Sequence, residues 1–438
     1  MFRFSTASGR VRRAMTGALA LVGVAALVSA CSSPAGPSAS GDYTPPDKSL
    51  KAEITYSFWD DTQRAAIEAN VKAFNKEYPD IKVNLDVTPW EGYWTKIQTQ
   101  ASSNTLPDLF WLNGPNFQLY ASNGKIAPIT SEVKGGFIDT ANYPKGLVDL
   151  YKLDGVQYGV PKDFDTIGLW FNKAIFEQAG LDTPTDSWTW KDLSDAANTI
   201  SEKLKDQGIY GVAGGMDGQT TFYNTIFQAG GDVVTKDGKG SGYSEKATQD
   251  GIQFWTDLIA SGASPSMQQL TDTPGDQWFT SGKLAMYYGG SWFRTAVKES
   301  SVADVADVAA LPTGKQQATV IHGVSNVVAA NSKNKQAAEA LQVYLASKEA
   351  QQQQGDMGAV IPAFNGTQQA FADSYPGVNL QVFLDETAYA KPYPVTKNTA
   401  AWEAVQTELL PDAFSGAKPV GDVTKDLATK MTDLLAKE

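Results

Sequence analysis

Cysteine and histidine are almost absent from this chain of 438 residues, which has one of each, Cys31 and His322. A lone cysteine makes no intramolecular disulfide, so stability has to come from packed cores. The same scarcity excludes His-rich metal clusters and Cys/His sets of the zinc-binding kind, and no metal or cofactor is expected. A Ser-His-Asp triad would have to use His322, and neither a G-x-S-x-G elbow nor a Walker loop accompanies it. Positive charge is also in deficit: 36 Lys and Arg stand against 48 Asp and Glu, a net charge of −12. That balance argues against nucleic acid and against a polybasic membrane contact. After Ala30, no apolar run is long enough to span a bilayer.

The first thirty residues differ from the rest. Arg3, Arg10, Arg12 and Arg13 form a basic start without an acid, and Ala14–Ala30 is apolar and uncharged up to Val28-Ser29-Ala30-Cys31. This is the n-region, h-region and small-residue cleavage site of a secretory signal. The run is rich in Ala and Gly and shorter than the ~20 apolar residues of a membrane span. It resembles a bacterial lipoprotein signal, whose lipobox cysteine is diacylated and becomes the new N-terminus. The resemblance implies a signal peptide over residues 1–30, lipidation at Cys31 and a still more acidic mature chain. Residues 31–51 are dominated by Ser, Pro, Gly and Ala and read as a flexible tether.

A folded region follows. Ile54–Trp59 reads as a buried strand. Ile67, Val71, Phe74 and Tyr78 recur at helical spacing over 62–78, with Asp60 or Asp61 placed as the cap. Ile81, Val83, Leu85 and Val87 alternate as in a strand, a helix covers 91–103, and Leu109–Leu112 is a third strand. This β-α-β-α-β order predicts an α/β fold with parallel-type sheets. Further on, strands are expected at 158–161, 167–171, 284–288 and 305–311. Helices are expected at 190–207, 248–261, 337–353, 402–414 and 423–437. The run Gln351–Gln354 reads as a solvated helix end.

The order and spacing of several stretches resemble the solute-binding proteins of ABC sugar importers, the maltose/oligosaccharide-binding family. Phe58-Trp59-Asp60 closes the first strand. Leu106-Pro-Asp-Leu-Phe-Trp-Leu112 resembles the family's "PD" strand. Tyr158-Gly-Val-Pro-Lys-Asp-Phe-Asp-Thr166, followed by Leu169-Trp-Phe-Asn-Lys173, resembles its crossover. Trp278-Phe-Thr-Ser-Gly-Lys-Leu-Ala-Met286 resembles its "F-x-x-G-k-x-A-M" segment, with Gly289-Gly-Ser-Trp292 after it. The resemblance implies a periplasmic-binding-protein-like α/β fold of two lobes joined by crossing hinge segments. Lobe one would combine 52–164 with 320–368, and lobe two 167–315 with 372–438. It further implies a monomer, lipid-anchored on the extracytoplasmic face of the bacterial membrane. That monomer would deliver an oligosaccharide to the permease subunits of an ABC importer.

A sugar offers flat C–H faces and a rim of hydroxyls, so its site needs aromatic platforms and planar polar groups. Such pairs fall at expected strand ends: Trp59 with Asp60 and Asp61, Trp111 with Asn113 and Asn116, Asp163 with Asp165, and Ser291 with Trp292. By resemblance, Asp165, Trp292 and Trp402 match sugar-contacting positions in maltose-binding relatives, and Tyr223 aligns near another aromatic. His322 lies where the chain returns to lobe one, and Tyr393 is expected at the cleft rim. Leu112 stands where maltose binders can carry an aromatic, so the resemblance names a class and not maltose. Trp90 and Trp188 read as core. Two other readings compete: a binder of another small solute such as a peptide, and a glycoside-cleaving enzyme using Asp163 and Asp165.

Overall fold

The computed structural model describes residues 42–438. The signal peptide and residues 31–41 of the expected tether, Cys31 among them, lie outside them.

Two four-stranded sheets organise the described chain. In the first, Ala52–Phe58 lies between Ile81–Val87 and Leu109–Asn113 and pairs parallel with both. Val324–Val328 returns from far along the chain to add antiparallel to Leu109–Asn113, Val324 opposite Asn113. Leu109–Asn113 and Val324–Val328 are buried along their whole lengths, as expected of strands covered on both faces. Helix Arg64–Glu77 packs on this sheet through Ala66, Ile67, Asn70 and Phe74, one face of a 3.6-residue period. The second sheet has the order 306–309, 167–172, 284–290, 210–212. Ile167–Asn172 pairs antiparallel with both Leu284–Gly290 and Ala306–Ala309, and only Tyr210–Val212 is parallel to its neighbour. The pairing is therefore mixed, because one strand in each sheet, Val324–Val328 in the first and Ile167–Asn172 in the second, runs against the other three. Leu169, Leu193, Trp255, Trp402 and Leu427 belong to the core of this second lobe.

The chain passes between the lobes side by side with itself. Asp165 pairs with His322 by a backbone bridge, Asp163–Phe164 pairs with Ile361–Pro362, and Val320–Ile321 pairs with Lys391–Pro392. The Thr319 hydroxyl accepts from the Ile167 N–H at 2.9 Å and pins the start of the second-lobe strand.

Four expectations need correction. The helix expected over 337–353 is two helices, Lys335–Leu345 and Lys348–Asp356, with Ser347 capping the second. Gln351 is fully buried rather than solvated. Its Oε1 accepts the N–H groups of Ala363 and Phe364 at 2.8 and 3.1 Å, donors that no strand satisfies. Tyr158–Pro161 makes no strand beyond a bridge from Pro161 to Ser325. The end of the tether is also not free: Tyr43 meets Phe137 edge-on at 4.9 Å, Pro46 is buried and Lys48 pairs with Glu77.

Candidate ligand-binding cleft

A cavity of about 440 Å³ opens where the two sheets and the crossing segments meet. It lies beyond the carboxyl ends of Ala52–Phe58 and Leu109–Asn113, the position where open α/β sheets receive ligands. Trp59, Asp60 and Trp90 supply the first-lobe wall, Asp163, Asp165 and His322 the crossing, and Gln219, Ser291 and Trp292 the second-lobe wall.

Under the first-lobe wall, polar groups are linked in series. Asp60 lies two residues beyond the first strand and accepts the Thr62 N–H at 2.9 Å, capping a short 3-10 turn, while its other oxygen takes Gln63 Nε2 at 2.9 Å. Gln63 Oε1 in turn accepts from Lys162 Nζ at 3.0 Å. Buried Lys162 forms an ion pair with Asp163 and lies 4.0 Å above the Trp111 ring. The cation is thus compensated by a carboxylate and by the indole face, as a desolvated charge requires. Trp111 is fixed from below: its Nε1 donates to the Tyr56 hydroxyl at 2.8 Å, which donates to Asn326 at 2.6 Å.

Asp165 receives one side-chain hydrogen bond from the protein. Its Oδ1 accepts from Gln219 Nε2 at 2.8 Å, across the crossover. Burial, with Asp163 beside it, pushes its carboxyl well above the usual carboxylate range against the opposing pull of Gln219 and Lys162. Gln219 sits in a π-helical turn, Gly218–Phe222, whose N-cap Asp217 accepts the Thr220 N–H at 2.7 Å. The buried His322 ring accepts the Gly114 N–H at Nε2, 3.2 Å away, so the neutral imidazole carries its proton on Nδ1. Burial lowers its pKa to about 4. On the far wall Trp292 folds back over Gly290, where a Cβ would lie only 1.9 Å from the ring.

Of the residues expected at the site, Trp59, Asp60, Trp111, Asn113, Asp163, Asp165, Ser291, Trp292 and His322 line the cavity. Five others do not. Asp61 is exposed and pairs with Arg64 at 2.6 Å. Asn116 hydrogen-bonds to Asn113, whose side chain caps helix Gly114–Ser122. Trp402 is fully buried in the second-lobe core and donates to Thr396 at 3.0 Å, because the face it occupies on helix Thr399–Phe414 turns inward. Tyr223 is also buried and donates to Gln406 at 2.8 Å. Tyr393 stands behind His322, ring centroids 5.2 Å apart, and donates to Glu403 at 2.6 Å. Burial lifts the Glu403 pKa to about 7. Residue reasoning missed Gln63 and Gln219, which carry no local signal. It named Lys162 only as part of the crossover motif, and it placed Trp90 in the core although Trp90 lines the cavity.

Comparison with known proteins gives this geometry a context. The profile of the bacterial extracellular solute-binding protein family matches residues 59–352. A Brucella abortus protein named as a binding protein is 25% identical over 84% of this chain and 89% of its own. The galactooligosaccharide-binding protein of Bacillus subtilis is 23% identical over 70% of this chain and 72% of its own. A solved Listeria monocytogenes ABC substrate-binding protein, in complex with cycloalternan, superposes with a TM-score of 0.82. It is 26% identical and covers 88% of this chain and 99% of that one.

Proposed function

Because the chain belongs to the bacterial extracellular solute-binding protein family, we propose that its cleft captures a carbohydrate of oligosaccharide size. It would then present that ligand to the permease of an ABC importer. The observation that carries this reading is the make-up of one cavity: the indoles Trp59 and Trp292 together with Asp60, Asp165 and Gln219. Indole faces stack on sugar C–H surfaces, and carboxylates and amides reach paired hydroxyls. The cycloalternan complex of the Listeria relative supports the same ligand class.

In this reading lobe one is 52–164 with 320–368 and lobe two is 167–315 with 372–438, closing over the ligand about the crossing segments. The protein works as a monomer held on the extracytoplasmic face by lipid on Cys31. It binds sugar without cleaving it: Lys162 and the Val324 N–H engage both oxygens of Asp163, which disfavours a glycosidase pair with Asp165. Isothermal calorimetry against mono- and oligosaccharides, with product analysis after long incubation, tests the function. Saturable binding with intact sugar supports it, and absence of binding to every carbohydrate overturns it. Mass spectrometry of the membrane fraction tests the anchor, which an unmodified Cys31 in the mature chain would refute.

A further inference from the structure

Three indoles lead outward from the cavity floor. Trp111 is fully buried, Trp59 is half-buried and meets Trp111 edge-on at 4.9 Å, and Trp90 meets Trp59 edge-on at 5.4 Å. Trp90 remains 49% exposed, the largest exposed apolar side chain among the described residues. A lone exposed apolar group needs no explanation, but this one continues a cavity wall. It is also held in place. Trp90 is the first residue of helix Trp90–Ser103, entered through Pro89, and its ring abuts Trp94 at 5.7 Å. A ring already immobilised loses little entropy when a ligand stacks on it.

We propose that Trp90 forms an outer subsite that stacks on a sugar ring lying beyond the inner cavity, so that the cleft grades oligosaccharides by chain length. This rests on the carbohydrate reading above. The inner rings of a ligand would meet Trp59 and the Asp165–Gln219 pair, and a further ring would meet the open face of Trp90. A short ligand fills the inner cavity without reaching it.

The test is calorimetry on the full mature chain and Trp90→Ala with homologous ladders of two to five units, one α-linked and one β-linked glucose series. In the series that binds, wild-type affinity is expected to rise with length. Trp90→Ala should lose roughly tenfold on the longer members, the size of one aromatic contact, and keep the affinity of the shortest. Trp90→Phe should recover most of the loss. Equal loss at every length would mean that Trp90 only props Trp59, and no loss at any length would mean that its exposed face serves something other than sugar. Either result overturns the outer subsite while leaving the carbohydrate reading intact. If neither glucose series binds, the same comparison is made on homologous ladders of other sugars, and failure of the wild type to bind every carbohydrate series overturns both together.

Discussion

Asp165 and His322 exchange backbone hydrogen bonds, Asp165 N–H to His322 O at 2.9 Å and His322 N–H to Asp165 O at 3.2 Å. The two residues belong to segments that cross between the lobes, and both side chains line the cavity. In the proposed reading, hinge and site therefore share the same residues. A ligand touching Asp165 acts directly on the place where the lobes articulate, and it can shift an opening equilibrium by its differential affinity for the closed form.

Asp165→Ala should weaken ligand binding about tenfold to a hundredfold with the fold retained, since removing one partner of a buried hydrogen bond costs roughly 1–3 kcal/mol. Gln219→Ala should reproduce part of that loss by releasing the Asp165 carboxylate. Calorimetry measures both, and unchanged affinity in the first variant would remove Asp165 from the site.

Gly290→Ala should lower affinity through Trp292. The backbone there, at φ −75°, accepts alanine, so the cost falls on the indole, which would have to leave the space a Cβ takes. An altered tryptophan emission together with weaker binding and a near-native melting temperature is expected. Unaltered binding would show that the Trp292 position is immaterial to the ligand.

His322 should make folding stability sensitive to acid. Its folded pKa of about 4 lies below the ordinary 6.5, so between those values the unfolded chain binds more protons and stability falls as pH falls. The contribution is complete above pH 6.5 and is lost by about pH 4, a span of about 3 kcal/mol. Asp165 and Glu403, with raised values, act in the opposite sense. The quantity to measure is therefore the difference between wild type and His322→Gln in denaturant unfolding at several pH values. Parallel profiles would refute the buried neutral imidazole.

Trp402→Ala should cost stability rather than affinity. A fully buried indole leaves a large cavity when truncated, worth roughly 3–5 kcal/mol. Thermal unfolding should report a marked drop, while binding by the remaining folded protein stays near wild type. A folded variant of normal stability and poor affinity would return Trp402 to the cleft.

Saturating ligand should reduce the radius of gyration, because a ligand in contact with both walls favours the closed arrangement. Small-angle scattering with and without the sugar measures this. An unchanged radius would sink hinge closure.

Much of this molecule was legible from its residues alone. Period-two and period-3.6 patterns located the first-lobe strands and helices, because the sheet face and helix face that exclude water repeat locally. The ordered motifs identified the crossover and its acids, and Asp60 was legible as a cap because capping is a contact between close neighbours. Tertiary structure decided what depends on residues hundreds of positions apart. Asn326, 270 residues from Tyr56, holds the hydroxyl that anchors Trp111, and Val324–Val328 completes the first sheet against the direction of its neighbours. The same dependence sorted the aromatics. Trp402 and Trp90 both sit in the first turn of their helices, yet one faces the second-lobe core and the other the cavity mouth. A helical period reveals that an apolar face exists, but which surface comes to cover it, protein or ligand, is set only when the lobes pack.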